Sequence, residues 1–436
     1  MSHADLDRLQ YYSRKVKFFE YTAEDDRVHP STYFRIGHLW SSALFPSLRH
    51  LHYHLNGMSI SHIFLHLSPL LDTLTLENIG GFESTAVGPF LATLSSSSQM
   101  LRRIVLNTTG DMLVGVFEKY FISFKHLRSL ELSCAIFKTN SLLVVLGTLP
   151  SLENLTLVAN NPASLPSPTP THAPENSNCQ SSQSGGPRYF EALESLHATG
   201  SFFLIRRLLC FISSPCLKSI EFHPVINPVR DESEPEELFT PSMTIVTSKW
   251  SQSLKNFAIS SSSSSIDTRQ YLFSKLVIFF KDFHNMETFH VDWKMKSWDD
   301  LKCLLTSWPK LRTLKLNQTI VILSTLRLIA ENCPQLHHLH IGLCTFTIPP
   351  FPNKSLCHNL EVLTVGDAYR DESSETTLES QIKVTRHLDL IFPYLNSMKV
   401  QSGNVFWLGI CDLVRLCRDA GLSRAESSRR QQTRTS

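Results

Sequence analysis

Pro309-Lys310-Leu311-Arg312-Thr313-Leu314-Lys315-Leu316 and Pro334-Gln335-Leu336-His337-His338-Leu339-His340-Ile341 are two copies of one pattern, set 25 residues apart. Each is a proline followed by apolar residues spaced L-x-x-L-x-L. Outward from this pair the pattern recurs down the chain. Clear copies start at Leu71, Leu127 and Leu152, and looser ones at Val16, Leu48, Leu101, Leu193, Leu217, Leu254, Met286, Leu360 and Leu395, which makes fourteen. From Leu48 onward seven of the twelve intervals are 23–26 residues, and the rest are longer by insertions. A second marker is independent of the leucines. Proline stands two residues before the start at Pro46, Pro69, Pro150, Pro215, Pro309, Pro334 and Pro393.

Proline cannot continue a helix and suits an extended turn that feeds a strand. The segments ahead of those prolines have helical spacing: Ile60, Ile63, Phe64, Leu67; Leu142, Val145, Leu146, Leu149; Leu301, Leu304, Leu305, Trp308; Leu326, Ile329, Ala330, Cys333. Each repeat therefore reads helix, proline turn, strand. One such unit cannot bury both its helix stripe and its strand leucines, so neighbours must stack. The expected fold is an α/β solenoid of horseshoe form over residues 16–420, with about fourteen irregular repeats. Its mostly parallel sheet lies on the concave face and its helices on the convex face.

These spacings fall within the 20–29 residues of leucine-rich repeats, and the chain resembles that family. Cys333-Pro334-Gln335-Leu336-His337-His338-Leu339-His340-Ile341-Gly342-Leu343-Cys344 is similar to the cysteine-containing repeat of many F-box proteins, and Ser214-Pro215-Cys216-Leu217 echoes its start. The irregular spacing and serine-rich insertions resemble the fungal F-box/leucine-rich-repeat sets. The resemblance implies a protein-binding scaffold, namely the substrate-recognition part of a ubiquitin ligase receptor. A stand-alone adaptor unrelated to ubiquitin is the alternative, and an enzyme a distant third. The fifteen residues ahead of Val16 are too few for a three-helix F-box. Residues 1–15 are read as a capping helix or a remnant of that motif, and a ligase adaptor is expected as partner only if an F-box lies upstream.

Composition narrows the function. The 436 residues are 42% hydrophobic and 18% charged, and leucine accounts for 62 of them, so a large core is available. Net charge is +2, of which Arg424, Arg429, Arg430 and Arg434 against Glu426 supply +3 within residues 421–436, expected as a disordered basic tail. The remaining 420 residues sum to −1 and offer no bulk field for nucleic acid or an anionic membrane. No apolar run is long enough to span a bilayer, and residues 1–30 are too polar for a signal peptide. With no pair of cysteines spaced CxxC, free thiols in the cytoplasm or nucleus are expected, in a chain that is monomeric outside a complex.

Insertions fall at residues 160–188, 224–241, 260–265 and 366–380, all after a strand and before the next helix, hence on one rim. The second contains Asp231, Glu232, Glu234, Glu236 and Glu237, read as an acidic docking rim for a basic partner. Within each strand, offsets +2, +4 and +6 from the repeat start face out from the concave sheet. His50, His52 and His54 take all three places in one strand, His338 and His340 share another, and His197, His223 and His290 sit on others. Alternating histidines can bind zinc, but the neighbours considered for the first set, Phe18, Glu20, Thr73 and Thr75, do not complete a site. The expectation is a polar partner-binding face made of His50, His52, His54, His290, His338 and His340 with the acidic rim, and neither metal nor cofactor. Nucleophile elbows, phosphate loops, zinc-protease helices and dinucleotide fingerprints are missing from the sequence. Cys333 and Cys344, although near His337, His338 and His340, are read as packing groups rather than nucleophiles.

Overall fold

The computed structural model describes residues 3–22, 32, 43–55, 60–80, 84–108, 114–134, 140–159, 188–225, 235–260, 276–292, 298–344, 350, 356, 358–366, 377–401 and 404–435, with side chains over slightly narrower limits. The chain divides into two compact units, Met1–Glu232 and Ser233–Ser436. In the first, strands β1 (Phe18–Thr22), β2 (His50–His54), β3 (Thr73–Ile79), β4 (Arg103–Thr108), β5 (Ser129–Cys134), β6 (Asn154–Ala159), β7 (Ser195–Gly200) and β8 (Ser219–Pro224) follow one another in chain order. In the second the order is β9 (Asn256–Ile259), β10 (Thr288–Val291), β11 (Thr313–Ile322), β12 (His338–Cys344), β13 (Val362–Val365) and β14 (Ser397–Val400). Within each unit neighbouring strands pair in parallel, which needs a crossover between them. The crossovers include the helices Ser84–Ser97, Val114–Phe121, Asn140–Gly147 and Phe202–Phe211 in the first unit, and Trp298–Ser307, Leu323–Asn332 and Leu378–Ile391 in the second.

All fourteen strands begin two residues after the repeat start read from the leucines. The pairing keeps that phase: Leu51 faces Leu74, Leu74 faces Ile104, Leu314 faces Leu339, and Leu339 faces Leu363. Offsets 0, +3 and +5 are the buried rungs, as at Leu311, Leu314 and Leu316, which are inaccessible to solvent. The helix stripes supply the other wall, with Leu301, Leu304, Leu305, Leu326 and Ile329 equally buried. This is the leucine-rich-repeat architecture, an α/β solenoid built one strand per repeat.

One helical expectation is corrected. Ile60–His66 forms a 3-10 turn of seven residues rather than an α-helix. A segment this short, stopped by Pro69, suits the tighter form, and it delivers His66 to stack on Phe19 at 4.5 Å and on Phe45 at 5.3 Å. The acidic insertion also ends earlier than expected, because a helix spans Pro235–Trp250, with proline at its first position where no N–H is needed. The C-terminal helix is Val405–Thr435 and takes in the arginine-bearing stretch set apart as a tail.

The proline turns hold a feature that the leucine pattern does not announce. At Ser68, Ser98, Ser214 and Trp308 the residue just before the turn is buried and donates to a carbonyl of the preceding repeat. Ser68 Oγ reaches the Pro46 carbonyl at 2.9 Å, Ser98 Oγ the Ser68 carbonyl at 2.7 Å, and Ser214 Oγ the Leu193 carbonyl at 2.7 Å. In the second unit Trp308 Nε1 donates to the Phe280 carbonyl at 3.0 Å, and His358, two residues before Leu360 in the place proline takes elsewhere, donates through Nε2 to the Cys333 carbonyl at 2.8 Å. Ser68 and Ser214 also accept from the N–H two residues on, at 3.2 and 3.1 Å, closing a side-chain turn around the proline. These groups are staples between repeats, and they satisfy carbonyls that would otherwise be costly to bury.

His358 makes the device sensitive to acid. Its Nε2 must carry the proton, because a carbonyl only accepts, and its Nδ1 accepts from the Leu360 N–H at 3.1 Å. Burial lowers its pKa, the Cys333 carbonyl opposes this, and His337 adds to the lowering. Burial, with Arg327 nearby, also lowers that of His387. In the unfolded chain both return to the ordinary value of about 6.5. As pH falls through that value the unfolded state takes up protons that the folded state refuses, so folding stability falls. We expect urea midpoints to drop from neutral pH toward pH of about 5, and His358→Asn to have a shallower pH slope while being less stable at neutral pH. A wild-type midpoint that is flat or rising on acidification contradicts this assignment.

Candidate functional site

The helices pack against one face of each sheet, and among the described residues offsets +2, +4 and +6 on the other face are mostly half-buried or exposed and form the available surface. In the first unit the expected histidine strand is present, but its members do different things. His50 is exposed between Phe18 and Thr73. His52 lies between two carboxylates, with Nδ1 3.4 Å from Glu20 and Nε2 3.6 Å from Glu77. His54 Nδ1 is 3.2 Å from the second Glu77 oxygen, and Asn78 Nδ2 donates to His54 Nε2 at 2.9 Å. Glu77, at offset +6 in β3, is the neighbour that the sequence reading left out. Asn78 holds a left-handed φ of 56°, which asparagine tolerates better than most residues, and this aims its amide back at His54.

Farther along the same face, β7 and β8 place His197 directly opposite Glu221 and Thr199 opposite His223. His197 Nδ1 is 3.1 Å from one Glu221 oxygen and His223 Nε2 is 3.0 Å from the other. The two imidazole rings stand 4.7 Å apart, centre to centre. Burial alone would raise the Glu221 pKa, but the hydrogen bonds and charge of His197 and His223 outweigh it and hold the carboxyl below its ordinary value.

The second unit carries a different surface. His290 Nε2 lies 2.9 Å from Asp292 Oδ1, and Asn317 bridges the pair, with its Nδ2 3.2 Å from His290 Nε2 and a short hydrogen bond to Asp292. Beside them a depression of about 380 Å³ is lined by Lys315, His338, His340, Thr364, Lys399 and Gln401 with the flanking apolar residues. Its described lining holds no carboxylate. His340 is part of this lining, with Nε2 buried and lacking a hydrogen-bond partner among the described residues. Burial lowers the His340 pKa and the charge of Lys315 and of His290 lowers it further, against smaller raising contributions from Asp292 and Gln401. Gly366 makes the room, since a Cβ there would stand 3.2 Å from His340 Nε2 and 3.3 Å from the Asn317 carbonyl. A floor of two lysines around histidines favours an anionic group on whatever docks.

The structure thus separates the sequence-named residues into two surfaces. His50, His52 and His54 lie on the first unit, and His290, His338 and His340 on the second. Asp231, Glu232 and Glu234 lie outside the described residues, as do the side chains of Glu236 and Glu237. Cys333 is fully buried and burial pushes its thiol up to about 12, so it is protonated at neutral pH and packs rather than attacks. Among the described residues no helix is long and apolar enough to cross a membrane.

No protein-family model and no curated protein matches this sequence. Among solved structures, the chain is similar to an internalin from Listeria monocytogenes, at 12% identity over 92% of this chain and 86% of that one, with a TM-score of 0.35. It is also similar to the leucine-rich-repeat protein LegL7 from Legionella pneumophila, at 10% identity over 74% and 91%, with a TM-score of 0.37. A chain of the yeast Rad7–Elc1 complex matches at 14% identity over 86% of both, with a TM-score of 0.36. The repeat assignment rests on this chain's own strand order and buried rungs.

Proposed function

We propose that the chain is a protein-interaction scaffold whose open sheet face holds a protein partner, and that it serves as the substrate-recognition part of an F-box-type ubiquitin ligase receptor in the cytoplasm or nucleus. The observation that carries the scaffold reading is the sheet face itself, where varied polar side chains stand in register with no helix covering them among the described residues. Arg103, Ser129, Asn154, Ser195 and Ser219 run side by side at one offset, a frame that fixes positions while leaving identities free. The cationic depression around His340 supports a partner that presents an acidic side chain to the second unit. In this reading the acidic segment Asp231–Glu237 steers the encounter, while the sheet supplies the short-range contacts. The ligase reading is supported by the resemblance of Cys333–Cys344 to the F-box-associated repeat.

A photo-crosslinking amino acid placed in turn at Thr364, on the sheet, and at Ile382, exposed on the helix side, tests the scaffold reading in cells. The same partner should be captured from Thr364 and not from Ile382. With the captured partner purified, replacing the five acids by Ser/Asn should slow association with little effect on dissociation. Capture from Ile382 alone rejects the sheet as the binding face. An in-frame F-box upstream of Met1, with co-purification of the ligase adaptor, supports the ubiquitin role. Partner capture without either favours the stand-alone adaptor.

A further inference from the structure

Among the described residues, three clusters on the open faces combine histidine with carboxylate, and they differ in whether their donor atoms converge. His52 points Nδ1 at Glu20 and Nε2 at Glu77, and His54 Nδ1 reaches the other Glu77 oxygen, but these four residues do not gather three donor atoms into an arrangement that could hold an ion. His290 and Asp292 offer one imidazole and one carboxylate, and their neighbour Asn317 is an amide. At β7 and β8 the arrangement is different. His197, Glu221 and His223 each present one donor atom, and the three atoms lie within 4.8 Å of one another.

The separations suit a metal. Bonds of about 2.0–2.1 Å to zinc at tetrahedral angles put ligand atoms about 3.3 Å apart. His197 Nδ1 lies 3.1 Å from one Glu221 oxygen and His223 Nε2 lies 3.0 Å from the other, and with all three donor atoms within 4.8 Å of one another, side-chain rotations of about an ångström close them on one ion. The sheet holds the frame: Glu221 and His223 are i and i+2 on one strand face, and His197 is locked opposite Glu221 by the parallel pairing. Side chains are 29–43% exposed, so an ion has access from solvent without a buried path. We propose that His197, Glu221 and His223 form a divalent-metal site, taking Zn²⁺ through two imidazole nitrogens and one carboxylate oxygen and leaving a coordination position open toward solvent.

Imidazole with carboxylate is a donor set that zinc accepts, and three protein ligands with an open position is its common accessible form. Ligation through His197 Nδ1 moves the ring proton to Nε2, which lies 3.5 Å from Thr199 Oγ1, a hydroxyl that can accept it. On the far side of His197 the paired residue is Thr156, which brings no competing charge.

The test uses the full chain and the metals alone. Isothermal titration with Zn²⁺ should show one equivalent bound. Co²⁺ in its place should give visible ligand-field bands without thiolate-to-metal charge transfer, the signature of nitrogen and oxygen donors. His197→Ala, Glu221→Gln and His223→Ala should each weaken binding by more than about 100-fold, and Thr199→Val by about tenfold, the scale of losing a second-layer partner. Circular dichroism should be unchanged in all four, and His284→Ala, at an exposed turn in the second unit, should bind as the wild type. A wild-type chain that takes up no Zn²⁺, thiolate bands in the Co²⁺ spectrum, or full binding retained by all three ligand variants overturns the site.

Discussion

Replacing Trp308 by alanine lowers folding stability by about 3–5 kcal/mol, the largest loss expected of a single substitution here. Trp308 ends the stripe of the helix Trp298–Ser307, one residue before the proline turn, and is inaccessible to solvent. Its ring centroid is 4.5 Å from that of Phe289, the inward residue of β10, and 6.5 Å from that of Phe280. Phe289 meets Phe280 edge-to-face at 5.0 Å and stacks on Phe257 at 5.9 Å. The looser repeats at Leu254 and Met286 thus fill with rings the space that leucines fill elsewhere. Truncating the indole opens a cavity at the centre of that cluster and also strands the Phe280 carbonyl. Trp308→Phe separates the two effects, since the ring remains and the hydrogen bond is lost, at about 1–3 kcal/mol. Equilibrium urea melts followed by near-ultraviolet dichroism measure both variants. If Trp308→Ala melts with the wild type, the aromatic cluster is not part of a packed core.

Leu314→Ala is expected to cost about 2–5 kcal/mol, and Lys315→Ala, one residue on, under about 0.5 kcal/mol. Leu314 is paired with Phe289 on one side and Leu339 on the other, all three solvent-inaccessible or nearly so, and the hole it leaves would lie between two repeats. Lys315 projects from the opposite face into the cationic depression. The pair of melts reads the inside/outside phase of the strand directly, and equal stability of the two variants would falsify it.

That phase was the most legible part of the molecule. A leucine at offset 0, +3 or +5 is a statement about burial within one repeat, and burial within one repeat is what hydrophobic spacing encodes. The strand starts consequently follow from the sequence at every repeat, including the loose copies at Val16 and Met286. Contacts between repeats were less legible, because they depend on which residues the register sets side by side. His50, His52 and His54 drew attention as a run, yet His52 is partnered by Glu20 and Glu77 on neighbouring strands. His197, Glu221 and His223 carry no local signature. Writing the repeats in register, offset against offset, brings them together, and that was the signal available. The staples at Ser68, Ser98, Ser214 and Trp308 were hidden differently. The same place before the turn takes serine, tryptophan or phenylalanine, so no residue type marks it; only donation to the preceding repeat unites these four. The Ile60–His66 turn was misread because spacing alone does not distinguish a short 3-10 segment from an α-helix.

The constancy of the strand start has a bearing on how such a chain changes length over generations. Residues 311–335 are one complete cassette of 25, opening on the leucine that follows a proline turn and closing just before the next such leucine. Its excision would join Lys310 to Leu336, so that the turn at Trp308-Pro309 would lead straight into the strand at His338. Thr288 would then take His338 as its lateral neighbour where Thr313 now stands. Every remaining leucine would keep its side, because nothing has moved by a fraction of a repeat. Duplication works by the same arithmetic. A gene for this protein can therefore lengthen or shorten in whole steps by unequal crossover, presenting a new row of outward side chains each time, while the inward ones go on fitting partners they have never met.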